Sequence, residues 1–107
     1  MRIWLAFGFC FSLTISAQAQ FVNGNTLHDY CRNFPASATG YVTGAVDTIM
    51  AANENGFVRR TFCLRPNVTA GQVRDTVCQT LNNTPSLRDL DATALVSVSL
   101  SQAFPCQ

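Results

Sequence analysis

The chain has 107 residues, a formal net charge of +1 and 48% hydrophobic residues. Its seven cations are all arginines and are balanced by six acids, with one histidine. That size allows one domain, and scattered, compensated charge leaves no electrostatic footprint for nucleic acid or an anionic membrane surface.

Residues 1–19 read as a cleavable secretory signal. Arg2 supplies the positive start, an uncharged and mostly apolar run covers residues 3–15, and Ala17-Gln18-Ala19 offers an Ala-x-Ala cleavage pattern. The run is short for a membrane anchor, and no stop-transfer pattern follows. Cys10 lies inside the apolar run and so is not a lipidation site. The mature domain is expected at residues 20–107, outside the cytoplasm, with no membrane attachment after cleavage. Its charges then cancel, with six arginines against six acids.

Four cysteines remain: Cys31, Cys63, Cys78 and Cys106. In a small exported domain with a thin core, an even number predicts two disulfides, with three connectivities open. There is no C-x-x-C, and no spacing fits a zinc ligand set, so neither a metal nor a cofactor is expected.

The mature chain reads as helical. Leu27, Tyr30, Cys31 and Phe34 fall at helical spacing over residues 26–34, before Pro35. Residues 37–53 form a stronger helix, with Val42, Ala45, Val46, Ile49 and Met50 on one face and Asn55-Gly56 as its stop. Gly40 and Gly44, one turn apart, are expected to admit a neighbouring helix closely. Residues 57–66 are a connection broken by Pro66. Thr69-Ala70-Gly71-Gln72 reads as a capping box opening a helix with Val73, Val77 and Leu81 on one stripe. Asn82-Asn83-Thr84-Pro85 ends it. The last segment is ambiguous. Val96, Val98 and Leu100 alternate as in a strand, whereas Leu95, Ser99 and Ala103 would line one side of a helix.

No catalytic constellation emerges, and the chain is not expected to be an enzyme. His28 with Cys31 could pair as base and nucleophile, but a cysteine here is better read as a disulfide partner. Asp89 and Asp91 suit a helix N-terminus better than a carboxylate pair. Asn67-Val68-Thr69 and Asn82-Asn83-Thr84 match a glycosylation sequon and read as turn chemistry. Two segments are candidate contact surfaces. Arg59 and Arg60 sit between Phe57 and Phe62, and arginine and aromatics are enriched at binding hot spots. Ser86, Leu87, Arg88 and Asp89 are the middle of a polar interhelical loop. That loop is an ordinary turn or, if it protrudes, a plug for an enzyme cleft.

Three blocks resemble the Rap/Tai family of immunity proteins of bacterial type VI secretion systems. They are Gly40-Tyr41-Val42-Thr43-Gly44-Ala45-Val46-Asp47, then Phe62-Cys63-Leu64-Arg65-Pro66-Asn67-Val68-Thr69-Ala70-Gly71-Gln72, then Ala94-Leu95-Val96 with Ala103-Phe104-Pro105-Cys106. The resemblance implies an all-α, disulfide-linked periplasmic bundle of about four helices, often a homodimer. It also implies helix for the last segment. Members studied as immunity proteins bind and block secreted peptidoglycan amidases, so a toxin inhibitor acting by steric occlusion is the expected function. The family usually has a cysteine two residues before the Gly-Tyr, where this chain has Ala38, and this chain has Cys78 instead. With the implied helices running up and down, the expected pairs are Cys31–Cys78 and Cys63–Cys106. An acid-stress chaperone on a similar scaffold is the rival expectation, weakened by a single histidine and few acids.

Overall fold

The structure is a computed structural model, and it describes Gly8 and residues 21–107. Apart from Gly8, the expected signal segment and its cleavage site lie outside the described residues. Four helices follow in order: α1 (Gly24–Asn33), α2 (Pro35–Glu54), α3 (Ala70–Asn83) and α4 (Ala92–Ala103). A short 3-10 turn, Pro85–Leu87, precedes α4. Among the described residues there is no strand beyond one isolated bridge, Asn23 with Asp91. The fold is a small all-α bundle.

Three of the four helices start at a capping side chain, and α2 starts at a proline. The Asn23 side chain accepts from the Thr26 N–H at 2.9 Å, so α1 begins earlier than its apolar spacing suggests. Phe34 both ends α1 and precedes α2. Its N–H donates to Tyr30 O at 2.8 Å, and Pro35 then opens α2 at a position where a missing N–H costs nothing. That is why α2 starts at Pro35 rather than at Ser37. At its other end Gly56 takes φ +75, the left-handed conformation that glycine adopts without penalty. The capping box of α3 is complete: the Gln72 N–H donates to Thr69 Oγ1 at 3.1 Å, and the Thr69 N–H donates to Gln72 Oε1 at 2.9 Å. Asp91 caps α4 by accepting from the Ala94 N–H at 2.7 Å.

The core gathers one stripe from each helix: Leu27 from α1, Val42 and Val46 from α2, Val73, Val77 and Leu81 from α3, and Ala92, Leu95, Val96 and Leu100 from α4. Phe62, from the α2–α3 connection, closes it. The ambiguous last segment is helical. Leu95, Val96, Ser99 and Leu100 are buried while Val98 is partly exposed, and the buried Ser99 hydroxyl is satisfied by Leu95 O at 2.7 Å. Burial against α3 outweighs the strand preference of the valines. Helix contacts run chiefly between α2 and α3, α3 and α4, and α1 and α2.

Two glycine roles differ from expectation. A Cβ built on Gly40 or Gly44 meets nothing within 4 Å, so no helix among the described residues packs there. The close approach falls instead at Gly24, where a Cβ would stand 2.5 Å from Leu95 Cδ1 and 2.6 Å from Arg88 O. Gly24 is buried because its N–H donates to Leu90 O at 2.8 Å, while the Ala92 N–H donates to Val22 O at 3.1 Å. These bonds join the start of α1 to the start of α4.

Candidate partner-binding surface

Two disulfides hold the ends of the bundle. Cys31 of α1 bonds to Cys78 of α3, with Cα atoms 5.7 Å apart. Cys63 of the α2–α3 connection bonds to Cys106 after α4, with Cα atoms 5.0 Å apart. Both fit a protein that matures outside the cytoplasm. With its sulfur in a disulfide, Cys31 is no nucleophile, and His28 has no thiol to activate. Among the described residues, no group of three or more His, Cys, Asp or Glu side chains could hold a metal ion. No helix among them is long and apolar enough to cross a membrane.

Arg59 and Arg60 lie on the connection that leaves the C-terminal end of α2, and both are exposed. Next to them Phe57 is 82% exposed and Val58 is 50% exposed. Met50, on the last turns of α2, is also exposed. Arg60 lines a small cleft of about 100 Å³ together with Met50, Asn53, Glu54, Phe62 and Leu64. The two aromatics flanking the arginines therefore part company: Phe62 is buried and anchors the segment, whereas Phe57 faces water. Among the described residues the only ion pair joins Arg74 to Asp75, so neither Arg59 nor Arg60 has an acidic partner there. Neighbouring Arg65 sits over the Phe104 ring, 5.7 Å from its centroid.

Of the interhelical loop, Ser86 and Asp89 are exposed. Leu87 is half-buried against the core, and Arg88 is half-buried with its guanidinium turned inward. Arg88 Nε donates to Leu81 O at 2.7 Å and Nη2 to Asn82 O at 3.1 Å, satisfying carbonyls that the end of α3 leaves open. This loop is drawn onto the bundle, and no surface brings its exposed residues into the cleft around Arg60.

His28 faces this loop from α1. Its Nδ1 is buried without a hydrogen-bond partner among the described residues. Loss of hydration holds its pKa below the ordinary histidine value, helped by Arg88 and Arg32 and opposed by Asp29.

Periodicity placed Met50 on the apolar face of its helix, yet Met50 is exposed; Val58 carried no signal of its own, and Phe57 was noted only as a flank of the arginine pair. The one available signal was position: Phe57 and Val58 follow the Gly56 stop and so lie beyond the reach of the helix stripe.

Neither a curated protein nor a solved structure matches the chain. The family model described as Rap1a immunity proteins matches residues 23–106, from the cap of α1 to the last disulfide cysteine, and the chain belongs to that family.

Proposed function

We propose that this protein works in the periplasm as a stoichiometric inhibitor, binding a secreted, amidase-like cell-wall-degrading effector and blocking its substrate cleft. The observation that carries this reading is the family match over residues 23–106. Two disulfides support a site of action outside the cytoplasm. The mechanism needs no proton transfer. A tight complex burying about 1,200–2,000 Å² in total excludes substrate by volume alone.

The contact surface is the end of α2 and the segment after it: Met50, Phe57, Val58, Arg59 and Arg60. Exposed aromatic and aliphatic groups beside guanidinium groups that have no ion pair among the described residues have the composition of a binding hot spot. Ser86 and Asp89 form a second, smaller contact, while Leu87 and Arg88 shape that loop from within. A homodimer forms through the open face of α2, where Gly40, Gly44, Ala45 and Thr48 line a shallow groove with Tyr41 and Thr93. The Tyr41 hydroxyl is held 3.0 Å from Thr93 Oγ1 at its rim.

The deciding experiment adds purified protein to a secreted cell-wall amidase of the same organism and follows peptidoglycan hydrolysis. Hydrolysis stops near a 1:1 ratio, and the Arg59→Glu/Arg60→Glu variant requires a large excess. Unchanged hydrolysis in the presence of excess unaltered protein would refute the inhibitor reading.

A further inference from the structure

The backbone after α2 shows an unusual accounting. The N–H groups of Phe57 and Val58 close on Ala52 O at 2.9 and 3.4 Å, and the Cys63 N–H donates to Phe104 O at 2.9 Å. Between these anchors, no hydrogen bond among the described residues involves the N–H or C=O of Arg59, Arg60, Thr61 or Phe62. Folded chains pair nearly all such groups, with protein or with water. Arg59, Arg60 and Thr61 are exposed, so water serves them in the free protein. A run of unpaired donors and acceptors beside apolar side chains is the property of an open strand edge.

The side chains follow the same geometry. Arg60, Phe62, Cys63 and Leu64 line the cleft against α2, while Arg59 and Thr61 stay outside it. Over residues 59–62 the side chains therefore alternate, as they do in an extended chain. Both ends of the run are already tied down, at Ala52 and at the Cys63–Cys106 disulfide, so little ordering is left for a partner to impose. Charge narrows the partner further. Both arginines are exposed with no ion pair among the described residues, and Glu54 is the one acid lining the cleft.

We propose that residues 59–62 receive an extended segment of the effector by strand addition, with its carboxylates on Arg59 and Arg60 and an apolar side chain against Phe57 and Val58. Main-chain pairing supplies affinity in this mode, and alternate side chains supply selectivity. The proposal rests on the effector-binding reading above and specifies how the effector is gripped.

Hydrogen exchange on the unaltered protein, alone and with a purified secreted amidase of the same organism, tests it. In the complex the amides of Arg59 and Thr61, which an extended run turns to the same edge, slow at least about tenfold. Thr61→Pro, which removes one donor, weakens binding about tenfold or more, whereas Thr61→Ala stays within about twofold. Circular dichroism and melting of both variants report whether they fold, and the exchange result on unaltered protein decides the matter if Thr61→Pro does not. A complex that leaves these amides unprotected overturns strand addition and spares the inhibitor reading. Failure of any complex to form overturns both.

Discussion

The two long connections of this bundle invert what their compositions suggest. The one before α4 is polar, yet it is closed: Leu87 packs on the core, Arg88 satisfies the end of α3, Leu90 O accepts from Gly24 and Asp91 caps α4. The one after α2 carries Phe57 and Val58, yet it leaves them in water beside a run of unpaired backbone groups. Polar side chains can be drawn inward because helix ends offer them carbonyls and amides to satisfy. Apolar side chains beyond the reach of the core find no such partner. Hydrogen-bond accounting therefore separates a structural loop from a contact surface better than hydropathy does.

The largest effects that sharpen this contrast come from the disulfides. Replacing either pair by alanine should cost about 2–5 kcal/mol in denaturant unfolding. The sequence separations, 47 and 43 residues, are nearly equal, so the two losses should be similar. Local behaviour should differ. Removing Cys63–Cys106 should speed amide exchange after α2, and removing Cys31–Cys78 should leave exchange there largely unchanged. Equal effects of both replacements on that segment would break the contrast.

Gly24→Val comes next. Its side chain would collide with Arg88 backbone and Leu95, and thermal unfolding should report a loss of about 3 kcal/mol. The same change at Gly44, where a Cβ meets nothing, should cost far less. A smaller effect concerns acid. Burial first, then Arg88 and Arg32, hold the folded-state pKa of His28 below its unfolded value near ~6.5, against the pull of Asp29. Between those two values the unfolded chain binds more protons, so stability should fall as pH drops through that window and stay flat above it. His28→Gln should remove this component of the pH profile. The smallest effect is Phe57→Ser, which should change stability by no more than about 0.5 kcal/mol while weakening effector binding. A clear stability loss would mean that Phe57 is part of the core.

Much of the fold was readable from neighbouring residues. The Thr69–Gln72 box, the Pro35 and Gly56 boundaries and the stripe of Val73, Val77 and Leu81 depend on positions a few residues apart, and the structure has them all. The last segment was balanced between two periods, because Ser and Val alternate where a helix also fits. The candidate surface was half legible. Arg59 and Arg60 stood out by type, but the exposure of Phe57 and the inward turn of Arg88 did not, since neither has a local cause.

By itself the sequence determined that there are helices and roughly where they run, which face of each is apolar and, through the blocks running from Gly40 to Cys106, the family, which in turn implied helix for the last segment. Only the tertiary structure decided which glycine lies under a neighbour and which loop is drawn inward, and it resolved as helix a segment whose own periodicity was ambiguous. The division has one physical origin. Caps and turns are governed by hydrogen bonds that close within four residues, whereas close approach and burial depend on partners dozens of residues away, as Gly24 and Leu95 show.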